Sequence, residues 1–169
     1  EEPLSITTTE SWDFSTGFYP ALSSANSNGT MGFTYYARNC YDTLVTREGE
    51  EIVPALAETW EISDDGLTYT FHLKEGVKFS DGADLNAEAV KTSIEAAFSN
   101  MGDAIAQFGK IGVLTESVEA VDEYTVVLHL TSPYYGVLSD LAMCNPMAIV
   151  SPNAFNEDLT PKDELMNQT

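Results

Sequence analysis

Two stretches of the chain alternate apolar and polar residues with the period of a half-buried strand. In the first, Tyr69, Phe71 and Leu73 share one face while Thr68, Thr70 and His72 share the other. In the second, Val126, Leu128 and Leu130 oppose Thr125, Val127 and His129. Successive side chains of a strand point to opposite faces, so each stretch predicts one buried and one wet side. Each also follows a shorter run and a polar break. Trp60 to Ile62 leads through Ser63-Asp64-Asp65-Gly66, and Ser117 to Val121 turns at Asp122-Glu123. Asp-Gly tolerates the positive φ of tight turns, and both units predict antiparallel hairpins.

A different period separates them. Val90, Ile94, Ala97 and Phe98 fall at the spacing of a helix packed on a sheet. Asn86 offers a capping acceptor and Glu88 suits the first turn, which predicts a helix over residues 87–99. Shorter elements are expected around this core. They are a strand from Leu4 to Thr9, a helix from Tyr35 to Leu44 and a turn at Gly49. A helix over residues 134–142 should bury Tyr135, Leu138 and Leu141, and a β-like run from Met147 to Val150 should end at Pro152. Between Trp12 and Met31 the aromatic residues Trp12, Phe14, Phe18 and Tyr19 follow neither period, as in a packed loop or a binding loop. From Asn156 onward the chain turns polar and predicts no element.

Composition narrows the class. The 169 residues hold 43% apolar and 11% aromatic side chains, too much for an acidic disordered chain. Asp and Glu number 27 against 7 Lys and Arg, giving a formal charge of −20. The basic residues are scattered singly, which argues against nucleic acid and disfavours anionic membrane surfaces as partners. No apolar run is long enough to span a bilayer. Cys40 and Cys144 form no C-x-x-C pair; the preferred reading is two buried free thiols, with one disulfide as the alternative.

Candidate chemistry is sparse. His72 and His129 lie on the polar strand faces without an H-x-H or H-E-x-x-H pattern, and read as exposed structural residues. No nucleophile elbow, phosphate loop or calcium loop is present. Glu48, Glu50 and Glu51 read as a solvated loop. No enzyme, no cofactor and no metal site is expected.

One ordered series of words is more specific. Tyr41-Asp-Thr-Leu-Val-Thr-Arg47 is followed by Ile52-Val-Pro-Ala-Leu-Ala-Glu-Thr-Trp-Glu61 and by Ser63-Asp-Asp-Gly-Leu-Thr-Tyr-Thr-Phe-His-Leu-Lys74. Then come Gly76-Val-Lys-Phe-Ser-Asp-Gly82 and Asn86-Ala-Glu-Ala-Val90. The series closely resembles bacterial extracytoplasmic solute-binding proteins of the peptide/nickel family (family 5), which serve ABC importers. Tyr134 to Ala142 with Asn145-Pro146 looks nearest to the nickel-binding branch. The chain departs from that branch at Met147-Ala148, where an arginine is expected, and at Asn100 to Phe108, which lacks Arg and Trp. An anionic chelate needs cationic partners, whereas peptides are held largely through main-chain hydrogen bonds. Both ligand classes stay open.

The resemblance implies an α/β fold of α+β type. A mainly antiparallel mixed sheet flanked by helices would form the first-lobe portion of a two-lobed periplasmic-binding-protein-like fold. The implied divisions are residues 1–45 (strand, irregular segment and helix), 46–155 (hairpins and long helix) and 156–169 (a polar tail at a truncation point). The implied function is capture of an oligopeptide, dipeptide or nickel chelate for a membrane ABC permease, by a monomer. Its place would be the periplasm, or the surface of a Gram-positive cell as a lipoprotein. Ligand-facing candidates are Trp12, Phe18, Tyr19, Met31, Met101, Phe108, Asn145 and Met147. The alternative is a stand-alone extracellular binding module that uses the same subdomain without transport.

Overall fold

The protein is described here by a computed structural model covering residues 19–21 and 37–162. Both expected hairpins form. β3 (Ala57–Ile62) pairs with β4 (Thr68–Leu73), and β5 (Thr115–Ala120) pairs with β6 (Thr125–Leu130). β4 and β6 then pair with each other, Tyr69 facing Leu128 and Phe71 facing Val126. The result is a four-stranded antiparallel sheet of order β3-β4-β6-β5. Its inner face carries Tyr69, Phe71, Val118, Val126 and Leu128, all buried. Gly66 makes the first turn possible with a φ of 69°, a conformation that costs a residue with Cβ.

The helix between the hairpins is α1 (Ala87–Met101), and Asn86 caps it. The Asn86 side-chain oxygen accepts the Ala89 N–H at 2.8 Å. Val90 and Ile94 join the sheet in the main core. On another side of the same helix, Ala96, Ala97 and Met101 pack into a second cluster with Tyr19, Ile105, Val150 and Phe155. Small residues let that layer approach α1 closely, so the helix is covered from two directions.

Several expectations need correction. The helix expected over Tyr35–Leu44 is helical at residues 37–40 among the described positions, and then opens. Leu44 stays in the main core, and its carbonyl accepts the N–H groups of Ala55 (3.3 Å) and Ala57 (2.8 Å), which draws the chain into β1 (Val45–Glu48). The acidic loop is instead the tip of a hairpin, for β1 pairs with β2 (Glu51–Pro54) and Glu48 faces Glu51 across the Gly49 turn. Met147 to Val150 is buried but is no strand. The Ser93 hydroxyl donates to the Ala148 carbonyl (3.2 Å) and accepts the Val150 N–H (2.9 Å), and Ile149 N–H bonds the Asp42 carbonyl (2.9 Å). Side chain and loop satisfy that backbone where a ladder would otherwise be needed.

Tyr135 is 97% exposed, and Tyr134 takes the packed place assigned to it. The 3-10 segment Gly102–Phe108 and the short α2 (Ile111–Leu114) precede β5, and α3 (Val137–Leu141) begins after Gly136, later than expected. Cys144 is buried, but Cys40 is exposed; both thiols are free. The stretch after Asn156 is tied back onto the fold as far as Lys162. Asn100 donates to the Leu159 carbonyl at 2.8 Å, and Lys162 N–H to the Ala154 carbonyl at 2.8 Å. The expected strand from Leu4 to Thr9 lies outside the described residues.

Candidate functional site

Of the ligand-facing candidates, Trp12, Phe18 and Met31 lie outside the described residues. The structure brings Tyr19, Met101 and Phe108 into one cluster beside α1, with Tyr19 and Met101 buried and Phe108 half-buried. The Tyr19 ring meets the edge of Phe155 at a centroid distance of 5.4 Å. Among the described residues its hydroxyl has no hydrogen-bond partner, and burial pushes the phenol pKa upward. Met147 is part of the main core. Tyr19, Met101 and Met147 are thus all buried in apolar clusters.

Asn145 is different. It sits in the turn Cys144–Met147 with an extended backbone (φ −102°, ψ 110°), preceding a cis peptide bond to Pro146. The residue is only 6% exposed, and among the described residues neither Nδ2 nor Oδ1 has a partner. A primary amide offers two donors and a two-lone-pair acceptor, and enclosing it unpaired is unfavourable. The turn that carries Asn145 neighbours the Gly102–Phe108 segment, the other candidate loop. No Lys or Arg occurs in residues 101–108 or 143–148.

Asp140, which no sequence motif marks, fixes this neighbourhood. Its Oδ2 accepts the N–H groups of Lys110 (2.9 Å) and Ile111 (3.1 Å), and its Oδ1 accepts the Tyr134 hydroxyl (3.3 Å). One buried carboxylate thereby joins α3 to the start of α2 and to the preceding tyrosine. The only sequence signal was an acid set among the apolar residues Val137, Leu138 and Leu141.

A larger cavity of about 590 Å³ opens elsewhere, between the Val77–Leu85 loop and the Ile149–Ala154 segment. Asp81 ties its rim, accepting from Ser151 Oγ (2.5 Å), Asn153 Nδ2 (3.1 Å) and Ala83 N–H (3.0 Å). These bonds, Ser151 first, hold the Asp81 carboxyl below its ordinary pKa. None of the candidates among the described residues lines this cavity. Among the described residues, no three His, Cys, Asp or Glu side chains converge as metal ligands. His72 and His129 stay apart on the outer sheet face, each 3.5 Å from a threonine hydroxyl, and His129 lies 3.7 Å from Glu119.

The model of the bacterial extracellular solute-binding proteins, family 5 (middle), matches residues 51–167. The chain belongs to this family. It is 33% identical over 141 residues to the glutathione-binding protein GsiB of Pectobacterium atrosepticum, covering 82% of this chain and 26% of that one. It is 37% identical over 146 residues to the dipeptide-binding protein of Escherichia coli K12, covering 75% of this chain and 26% of that one. The crystal structure of NikA from Brucella suis in complex with Fe(III)-EDTA superposes with a TM-score of 0.73 at 30% identity, over 88% of this chain and 29% of that one. The chain thus spans about a quarter of the curated relatives it matches. These similarities agree with the α/β fold of antiparallel strands and helices expected from the sequence. Among the described residues, no helix is long and apolar enough to cross a membrane.

Proposed function

We propose that this chain is part of an extracytoplasmic receptor that captures a small peptide-like solute and delivers it to an ABC permease. The observation that carries the reading is the enclosed Asn145 amide, whose donor and acceptor are both unpaired among the described residues, in a turn that neighbours the Gly102–Phe108 segment. A peptide unit presents one N–H and one C=O, and so complements such an amide directly. An anionic metal chelate would call for cationic side chains there, and these two segments hold none.

In this reading Trp12, Phe18, Met31 and Phe108 supply apolar wall around the amide, while Tyr19, Met101 and Met147 hold the loops from behind. Residues 1–45 and 46–155 act as parts of one lobe, and ligand favours lobe closure only by the extra contacts made in the closed state. The receptor works as a monomer, without catalysis, in the periplasm or held at the cell surface by a lipid anchor.

Thermal unfolding and calorimetric titration of the full-length protein test the proposal with glutathione, dipeptides and nickel–histidine. Peptide at about 100 times its Kd should stabilise the protein by about 2.7 kcal/mol. Asn145→Leu should abolish that gain while leaving the unliganded protein as stable or more so, because a buried unpaired amide costs about 1–3 kcal/mol. Stabilisation by nickel–histidine and not by peptides would overturn the peptide reading. Full peptide affinity in Asn145→Leu would remove Asn145 from the site.

A further inference from the structure

Among the described residues, a small recess at the β3–β4 turn shares no lining residue with the larger cavity and includes no ligand-facing candidate. It measures about 170 Å³ and lies between the Ser63–Gly66 turn and Pro133–Tyr135. Sites that enclose a whole drug-sized ligand run to about 300–1,000 Å³, so this one has room for a headgroup. Three tyrosines, Tyr69, Tyr134 and Tyr135, line it together with Asp64 and Asp65, and no Lys or Arg does.

We propose that this recess binds a single organic cation, an alkylammonium or quaternary ammonium headgroup. The electron-rich faces of aromatic rings attract cations, and two carboxylates at the rim add net negative charge. Neither carboxylate is in an ion pair among the described residues. A hard metal ion would want several oxygen ligands, and no group of three metal-ligating side chains converges among the described residues. An organic cation needs none, because its charge is spread over an apolar surface that aromatic rings can cover.

Much of the recess is already built. The Tyr69 hydroxyl donates to the Tyr134 carbonyl (3.0 Å), and the Tyr134 hydroxyl donates to Asp140. Asp65 accepts from Ser63 Oγ (2.6 Å) and from Leu67 N–H (3.0 Å), which fixes the turn and keeps the carboxyl ionised to lower pH than usual. Among the described residues Asp64 makes no side-chain hydrogen bond, which leaves its carboxylate able to face a ligand. Tyr135 is the exception to the fixed arrangement. At 97% exposed it has no packing role, and beside it Ile62 is 46% exposed, leaving an aromatic and an aliphatic surface uncovered together. A ring held by nothing else is available to fold over a bound cation.

NMR of the full-length protein with labelled tyrosine rings tests this, the Tyr135 signals being identified by their loss in Tyr135→Ala. Tetramethylammonium should shift the Tyr135 and Tyr69 signals saturably, while neutral tert-butanol should not. Asp64→Asn and Tyr135→Ala should each weaken binding roughly two- to five-fold, read on Tyr69, and both should fold normally because the residues are exposed. Added salt should weaken it further. Absence of a saturable shift, an equal shift with tert-butanol, or unchanged affinity in both variants would each overturn the proposal. Choline and acetyl-lysine amide then separate the sources. Tighter choline binding supports a small solute, and tighter lysine binding supports a side chain of a partner protein. Peptide capture at the Asn145 site is measured independently, so either result can fail without the other.

Discussion

At the scale of single residues, Asp140 and Gly109 form one device. Gly109 has a φ of 108°, and a Cβ placed there would lie 2.2 Å from the Asp140 carboxyl carbon. The carboxylate can reach the Lys110 and Ile111 N–H groups only because the residue before them has no side chain. Gly109→Ala should therefore lower stability by about 2–4 kcal/mol, combining backbone strain with overpacking, as read by urea unfolding. Asp140→Ala should cost about 1–3 kcal/mol by leaving backbone donors unpaired. A neutral Gly109→Ala would mean that the carboxylate does not sit against that backbone. The cysteines make a second residue-scale contrast. Burial pushes the Cys144 thiol up to about 11, so at pH 8 a thiol reagent should label the exposed Cys40 at once and Cys144 only on unfolding. Equal labelling rates, measured by mass spectrometry, would contradict that placement.

At the scale of elements, α1 and the two hairpins were readable because each carries its own period and its own local stop signals. Asn86 is the clearest case, since capping is decided within three residues of sequence. Asn86→Ala should cost about 1 kcal/mol, measured by chemical denaturation, and Asn86→Asp should recover most of it. Other elements depended on distant partners. The run from Met147 to Val150 has the composition of a strand, but the Ser93 hydroxyl, on α1, takes up its backbone groups. Tyr134 and Tyr135 are adjacent and identical, and only the position of Asp140 decides which of them packs. The hairpin of β1 and β2 was hidden because its four-residue strands lack a clear alternation and its tip is acidic.

At the scale of the whole molecule, the formal charge of −20 dominates. Like charges repel across a compact surface, so salt should raise the unfolding temperature at pH 7. An unfolding temperature independent of salt between low and physiological ionic strength would contradict this. Mild acid should act in the same direction at first, as ordinary carboxylates begin to protonate. Asp65, Asp81, Asp122 and Asp158 work the other way, because hydrogen bonds hold each below its ordinary value of 3.8. In the unfolded chain these groups take up protons first, so their stabilising contribution is present above about pH 3.8 and is lost as pH falls through their folded values. Stability should pass through a maximum in mild acid and decline below it, which a series of thermal melts against pH would reveal.

The sequence by itself determined the hairpins, the capped helix, the acidic surface and the family, because these rest on local periods, caps, composition and words in fixed order. It also marked Asn145 as a candidate, though with nothing to say whether that amide was paired. The tertiary structure decided the rest. Which tyrosine packs, which methionines are core, and which polar groups are left without a partner depend on residues distant in sequence meeting in space. Asp140 meets Lys110, Ser93 meets Val150, and among the described residues Asn145 meets nothing that pairs its amide. Hydrogen-bond pairing and close packing act over a few ångströms between such residues, and no local pattern encodes them.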